Sequence, residues 1–344
     1  MARRYWQCRC GAEGSYAADT VLGFTGRYSR VVQRHCCQLA ADGSFARASD
    51  TLRALLEVRL AAETVRQVAL GHGAAMAAFQ PTDAATAEAF RAAAGEVEFA
   101  VDAGKVNTRE DGWRDLKIVV IAKREAGAGA TPEEWADERW PAAGARVAFA
   151  AIAPVKTFRR FWRATLRRLG VKQWAEVHAL GDGASWIWKA VQRTLSGCHQ
   201  TLDIYHACEH LSRCAQAIFG EGTGDATAAF ERGRGLLLGE GWNGVCRWVG
   251  ELRAVEDERG AQRQKATTKV LKYFAAHVGR LNYPERLASG RAIGSGVVEG
   301  QAKTLGLRLK ARGARWRKKN VRAMASLVNV RNSMQWEAYW ALAA

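Results

Sequence analysis

Between residues 95 and 210 the chain alternates apolar runs of strand character with helical segments, and this order constrains the fold more than any other feature. Three strand-like runs follow one another with short loops, and two more are separated by helices. Strands joined by short loops form an antiparallel meander, whereas strands separated by helices extend a sheet in parallel. The sequence therefore predicts an α/β fold with a mixed sheet flanked by helices. Strands are predicted in VEFAVDAGKV, at 113–125, at 146–153 and in AEVHALGDG, with helices at 158–171 and 184–195, and residues 201–208 are predicted to be a fifth strand that runs into a helix.

Three acidic residues stand at conspicuous places in this pattern. The predicted order is the ribonuclease H-like arrangement, which puts the end of the first strand beside the end of the fourth, and Asp102 and Asp182 follow those two runs. A third acid, Glu299, lies in AIGSGVVEGQAK, where the glycines predict a loop and the glutamate starts a helix. Carboxylate oxygens suit Mg²⁺ or Mn²⁺. We therefore predict that the three acids converge on metal for phosphodiester chemistry.

The charge of the chain predicts a polyanionic partner. The formal net charge is +17, and residues 300–336 contain no Asp or Glu. The chain has no apolar run of about 18 residues and no signal-peptide pattern, so we expect double-stranded DNA rather than membrane, in the cytoplasm on the nucleoid. The residues predicted to bind DNA are Arg66, Lys303, Arg308, Lys310, Arg312, Arg315, Arg317, Lys318, Lys319 and Arg322.

The segments before the first strand allow two interpretations each. Residues 1–43 contain Cys8, Cys10, Cys36 and Cys37, whose spacing matches no standard zinc site, so a structural zinc and a turn unit with buried thiols both stay open. Residues 44–94 are helical. A helix over SFARASDTLRALLEV and a second one stopped by the glycines of ALGHG resemble a helix-turn-helix with Arg66 facing outward, or form a plain helical hairpin.

The second half of the chain divides at a change of composition. Residues 95–210 are predicted to be the first part of the catalytic core. Residues 211–285 are rich in glycine and charge with helical character, which indicates a helical insertion. Residues 286–344 would complete the core with the Glu299 segment and basic helices.

Four motifs, taken in order, resemble those of bacterial DDE transposases of the Mutator-like and ISKra-type insertion-sequence group. AVDAGKV, GDGASWIW and GSGVVEG resemble the segments that carry the two aspartates and the glutamate, and Asp203-Ile204-Tyr205-His206 fits an Asp-x-x-His on the fifth strand. The resemblance implies a homo-oligomeric DNA transposase that cuts terminal inverted repeats and joins them to target DNA with Mg²⁺. Asp102 would bridge two ions and Asp182 and Glu299 would hold one each, with Asp203 and His206 behind them.

Plainer interpretations stay open beside this one. Asp102 and Asp182 could be turn aspartates, and Glu299 could be a glutamate favoured by the helix dipole. His206 and His210 could bind zinc with the nearby cysteines. At the level of function, the alternatives are a non-catalytic DNA-binding protein, such as a repressor or domesticated transposase, and a ribonuclease H-like nuclease that hydrolyses without joining.

Overall fold

The computed structural model describes residues 24–25, 27–137, 141–255 and 258–342, with side chains from residue 27 onward. Cys8 and Cys10, and with them the first half of the predicted zinc unit, lie outside the described residues. Cys36 and Cys37 lie in a helix as buried free thiols. Among the described helices, none is both long and apolar enough to cross a membrane.

A five-stranded sheet forms the centre of the molecule, in the order β5-β4-β3-β6-β7. The first three strands in sequence pair antiparallel, and β6 and β7 add to β3 in parallel. This confirms the predicted mixed α/β sheet, and the layout is consistent with the ribonuclease H-like arrangement. The strands are β3 (Glu96–Thr108), β4 (Gly112–Arg124), β5 (Ala145–Ala151), β6 (Val177–Gly181) and β7 (His199–Leu202), and a small separate hairpin contains β1 (Phe24–Thr25) and β2 (Tyr28–Ser29).

Strand β3 extends further than its apolar run predicts. It pairs with β6 only as far as Val101 opposite Gly181, but it pairs with β4 as far as Thr108. Asp102 therefore lies where β3 separates from β6 and not at the end of the strand. The strand continues because its backbone groups still find partners on β4 after β6 has ended.

Helices cover both faces of the sheet. Alternate β3 side chains point to opposite faces, so Phe99 and Val101 belong to one apolar cluster and Ala100 and Val106 to the other. The helices are α1 (Arg30–Asp42), α2 (Phe45–Leu56), α3 (Ala62–Phe79), α4 (Ala84–Ala92), α5 (Val155–Arg168), α6 (Ser185–Thr194), α7 (Ile204–Phe219), α8 (Gly224–Glu240), α9 (Trp242–Arg253), α10 (Gly260–Ala275), α11 (Tyr283–Ala288), α12 (Gly296–Leu309), α13 (Lys318–Arg331) and α14 (Gln335–Leu342).

The helices that precede the sheet in sequence share its core. Leu52 of α2 and Val65 and Met76 of α3 pack in the same cluster as Ile118 of the sheet and Met324 of α13. The first face of the sheet is covered by α5 and α6 and by helices of the segment between β7 and Glu299. The predicted boundary at residue 94 therefore does not separate two hydrophobic cores, and the DNA-binding role of residues 44–94 stays a prediction.

Helix α3 does not stop at its glycines. It continues through Gly71 and Gly73 to Phe79, so the predicted helix end was wrong. The reason is tertiary: a Cβ on Gly73 would collide with the backbone carbonyl of Ala323 in α13, whereas a Cβ on Gly71 meets nothing within 4 Å. Gly73 thus allows two helix backbones to approach closely, which a local sequence pattern does not reveal.

Alanine at these two positions should have opposite effects. Gly73→Ala should lower the free energy of unfolding by about 1–3 kcal/mol, because the added methyl group forces α3 and α13 apart. Gly71→Ala adds the same methyl group on the exposed side of the helix and should raise the free energy of unfolding by up to about 1 kcal/mol. Urea denaturation of both variants measures the difference, and equal effects would refute the close packing.

A buried polar network joins the starts of β3 and β6 to α11. Arg286 donates to both carboxylate oxygens of Glu96 at 3.2 and 2.8 Å and to Nδ1 of His178 at 2.8 Å. Nε2 of His178 therefore carries the proton and lies 2.6 Å from the hydroxyl of Thr201. Burial, followed by the charge of Arg286, lowers the pKa of His178 to about 3. The imidazole is accordingly neutral in the folded protein.

This network should make stability depend on pH. The pKa of His178 is lower in the folded chain than its unfolded value of about 6.5, so the unfolded chain binds the extra proton and stability falls as pH decreases below 6.5. His178 alone contributes a slope of at most about 1.4 kcal/mol per pH unit. Chemical denaturation between pH 6.5 and 5 should show this slope, and His178→Gln should remove it. His199→Gln, which changes an exposed neighbour, is the matched control and should keep it.

Candidate functional site

Asp102 and Asp182 lie next to each other at the point where the parallel strands β3 and β6 separate. The pairing of Val101 with Gly181 brings the residues that follow them next to each other. Asp102 Oδ1 accepts its neighbour's amide, that of Ala103, at 2.6 Å. The register thus supports the predicted proximity of the two aspartates.

Helix α6 holds the Asp182 loop in place. Asp182 Oδ1 accepts the amide of Ala184 at 2.8 Å, and the Asp182 carbonyl accepts the indole N–H of Trp188 at 2.7 Å. The space at Gly181 is tight, since a Cβ there would lie 3.3 Å from the Ile187 side chain and would require that side chain to shift. The Gly-Asp-Gly turn is therefore both an Asx turn and the start of a packed helix, and one oxygen of Asp182 remains free of these contacts.

Asp203 begins α7 and does not lie on the fifth strand, because β7 ends at Leu202. Its buried carboxylate caps the helix by accepting the amide of His206 at 3.0 Å, a role for which aspartate is well suited. The second oxygen accepts both the backbone amide and the hydroxyl of Ser295, the latter at 2.7 Å. The Asp-x-x-His motif is thus a helix cap that also binds the loop before α12.

Glu299 reaches the same place from the first turn of α12. Its Oε1 lies 3.4 Å from the Ser295 hydroxyl oxygen, whose single proton is directed to Asp203 at 2.7 Å. Asp203, His206 and Glu299 each offer a ligand atom, and these atoms lie within 4.8 Å of one another, so the group could hold a metal ion. The donors fit a divalent cation: two carboxylates and one imidazole suit Mn²⁺, and Mg²⁺ through the oxygens.

The structure therefore groups the predicted residues differently from the sequence. Asp203 and His206 were expected behind the metal ligands, but they form the tightest set together with Glu299. Asp102 and Asp182 lie outside that set and beside it, since the charges of Asp182, His206 and Asp203 all act on Asp102. Ser295 was missed entirely. A serine between two glycines just before a helix was the available signal, but its role depends on a residue 92 positions away.

Repulsion between the acids shapes the electrostatics of the site. Burial raises the pKa of Asp102, and the charges of Asp182 and Asp203 raise it further against the amide of Ala103. Burial also raises the pKa of Glu299, followed by the charge of Asp203 and, to a smaller extent, that of Asp102. The pKa of Asp102 and of Glu299 is thus raised by neighbouring carboxylates, and a shared cation would bind favourably there because it removes the repulsion.

The alternative zinc site near His206 is not formed in the described part of the chain. The cluster of Asp203, His206 and Glu299 is the one group of metal-binding side chains that the described residues contain. Burial raises the pKa of the Cys208 and Cys214 thiols to about 12, which disfavours thiolate ligands. His210 instead stacks on Tyr273 with 3.4 Å between ring centroids.

Most of the predicted DNA-binding residues are exposed, but Arg308 is not. Its guanidinium is buried between the rings of Phe45 and Trp316, at 4.5 and 4.9 Å, and donates to the carbonyl of Ala40. Burial lowers its pKa to about 10. Arg308 is therefore a group of the core, a correction to the prediction from charge. The exposed residues are Lys303, Lys310, Arg312, Arg315, Arg317, Lys318, Lys319 and Arg322.

Two further predicted residues have acidic partners. Arg66 of α3 forms an ion pair of 2.5 Å with Glu63 one turn earlier, and its side chain is 39% exposed, so it faces outward only in part. Lys318 pairs with Asp111, and its backbone amide donates to Glu110. These contacts reduce the free positive charge at both positions.

A groove of about 560 Å³ begins at Asp102 and runs between β3 and α12. One wall is the β3 backbone at Gly104, and the other presents Lys303 and Lys310 with the exposed side chain of Leu307 between them. The groove thus joins the acidic site to a cationic surface.

A scan against protein-family models gave no match for this chain, and a search of curated proteins gave none either.

Divalent cations should stabilise the protein through this site. Mn²⁺ at about one hundred times its Kd should raise the free energy of unfolding by about 2.7 kcal/mol, measured as a higher melting temperature. His206→Ala and Glu299→Gln should abolish the increase. The matched control is Glu209→Gln, because the Glu209 carboxylate lies 3.9 Å from the His206 ring but outside the metal group. An unchanged Mn²⁺ effect in both His206→Ala and Glu299→Gln would refute the site.

Proposed function

We propose that this protein is a metal-dependent DNA transposase with a ribonuclease H-like core, which cleaves the ends of a DNA element and joins them to target DNA. One observation carries the proposal: the pairing of Val101 with Gly181 puts Asp102 and Asp182 at the sheet edge where Glu299 arrives from α12. The charges of Asp203 and Asp102 both act on Glu299, so acids from distant segments share one electrostatic site.

The residues of the site would have different roles in metal binding and catalysis. Asp102, Asp182 and Glu299 would hold two Mg²⁺ or Mn²⁺ ions, with His206 as a further ligand or a contact to the phosphate. When bound, such ions activate the attacking water or 3′-OH and neutralise charge on the leaving oxygen. Asp203 anchors the start of α12, and with it Glu299, by accepting both the backbone amide and the hydroxyl of Ser295. The same residues serve cleavage and joining, since both reactions displace an oxygen at phosphorus.

The surface beside the acids supports nucleic acid as the substrate. Lys303 and Lys310 face the groove that starts at Asp102. Cations along a groove attract the phosphodiester backbone and offset its repulsion by the carboxylates. The exposed basic residues between α12 and α13 extend this surface. DNA in the groove would therefore reach the acids with its backbone already neutralised.

Substitution of the acids tests the proposal. Asp102→Asn, Asp182→Asn and Glu299→Gln should each lower Mg²⁺-dependent cleavage on the order of a thousandfold, because several kcal/mol of charge stabilisation are lost. Asp225→Asn, an exposed acid in the first turn of α8, is the control and should keep full activity. The assay uses duplex DNA with the inverted repeats that flank the reading frame, and it scores cleavage and strand transfer separately.

Each alternative function has its own outcome in this assay. Cleavage without strand transfer would assign a ribonuclease H-like nuclease. Specific DNA binding without any Mg²⁺-dependent cleavage would assign a non-catalytic DNA-binding protein. Full activity of both Asp182→Asn and Glu299→Gln would show that the metal site is assigned to the wrong residues.

A further inference from the structure

A second cationic pocket lies beside the loop that carries Asp182, since Tyr273 lines the pocket and packs against Gly183. It measures about 520 Å³ and opens between α7 and α10. Lys265 and Lys269 present their ammonium groups from α10, one turn apart, and Arg213 faces them from α7. Arg213 pairs with Glu209 at 2.7 Å, whereas neither lysine has an acidic partner among the described residues. The pocket therefore presents two ammonium groups that form no ion pair with the described part of the chain.

The inner wall of this pocket is aromatic. The rings of His210 and Tyr273 stack with an angle of 16° between their planes. Both belong to the pocket lining, and Tyr273 also contacts His277 at 5.0 Å between centroids. Burial lowers the pKa of His210, so its ring is neutral and free to stack. A flat, neutral aromatic surface beneath lysines is suited to a base attached to phosphates.

Tyr273 also joins the pocket to the acidic site. Its hydroxyl and ring edge occupy the space that a Cβ on Gly183 would need, directly after Asp182. Burial, then the charges of Asp182 and Asp203, raise the pKa of the Tyr273 hydroxyl, so that group stays protonated and available as a donor. Tyr273 therefore connects the pocket directly to the loop that carries Asp182.

We propose that the pocket between α7 and α10 binds a single-stranded stretch of nucleic acid adjoining the scissile phosphate. Lys265 and Lys269 contact its phosphates, and the stacked pair of His210 and Tyr273 receives a base. The proposal rests on the proposed function, because it assumes nucleic acid at the acids. It adds a separate statement: the segment between β7 and Glu299 holds the substrate itself and is more than a spacer.

Removal of the two lysines tests the phosphate contacts. The double variant Lys265→Ala/Lys269→Ala should bind single-stranded oligonucleotides with a salt dependence shallower by about 1.4 in the slope of log Kd against log salt, about 0.7 for each lost contact. The matched control is Lys172→Ala/Arg193→Ala, which removes the same charge from exposed residues at the other end of β6 and α6. Equal slopes for the two double variants would overturn the inference.

Substrate length and Tyr273 variants test where the strand lies. With a single-stranded extension on one side of the cleavage site, Lys265→Ala/Lys269→Ala should raise KM, and the effect should vanish when the extension is removed. Tyr273→Ala should weaken binding of the extended substrate at least about fivefold, while Tyr273→Phe should keep binding because the ring remains. Tyr273→Ala should retain its Mn²⁺-induced rise in melting temperature, which shows that the acidic site is folded. Loss of binding in Tyr273→Phe as well as Tyr273→Ala would contradict base stacking.

The outcomes separate this inference from the proposed function. If the wild-type protein cleaves no DNA with Mg²⁺, the proposed function fails. If it cleaves DNA and Lys265→Ala/Lys269→Ala behaves as the control at every extension length, the proposed function stands and the pocket has no role in substrate binding.

Discussion

The buried carboxylate of Asp203 is the contact on which the candidate site depends. It caps α7 through His206 and accepts two hydrogen bonds from Ser295, 92 positions later in the chain. A buried carboxylate is stable only with hydrogen-bond partners for its charge. The three hydrogen bonds that Asp203 accepts are therefore strong contacts of the fold. The helix that follows β7 and the loop that precedes Glu299 are thereby joined at one point. The hydrogen bonds between Asp203 and Ser295 therefore fix both ends of the segment that lies between these two residues.

The same contact explains why acids gather at one edge of the sheet despite their repulsion. Burial and like charges raise the pKa of Asp102 and Glu299, so the arrangement is unfavourable without a cation. The hydrophobic clusters on the two faces and the capping of α7 hold the acids together nonetheless. Stability obtained elsewhere in the fold thus maintains a group of side chains that could hold a metal ion.

Positive charge lies at two places near this acidic centre. The groove along α12 presents Lys303 and Lys310, and the pocket along α10 presents Lys265 and Lys269. These are the two surfaces at which we propose that the nucleic acid substrate binds. Net charge alone does not identify these four residues, because Arg308, which belongs to the same basic run, is buried against Phe45 and Trp316.

The sequence by itself determined the strand order, the neighbouring positions of Asp102 and Asp182, and the start of a helix near Glu299, because these follow from local periodicity and from the rules for connecting strands. Tertiary structure decided the rest. Gly73 continues a helix because α13 packs against it, Arg308 is buried because two aromatic rings enclose it, and Ser295 binds Asp203 because the intervening helices return the chain to the site. Each of these outcomes depends on contacts between residues far apart in the chain, and local spacing carries no information about such contacts.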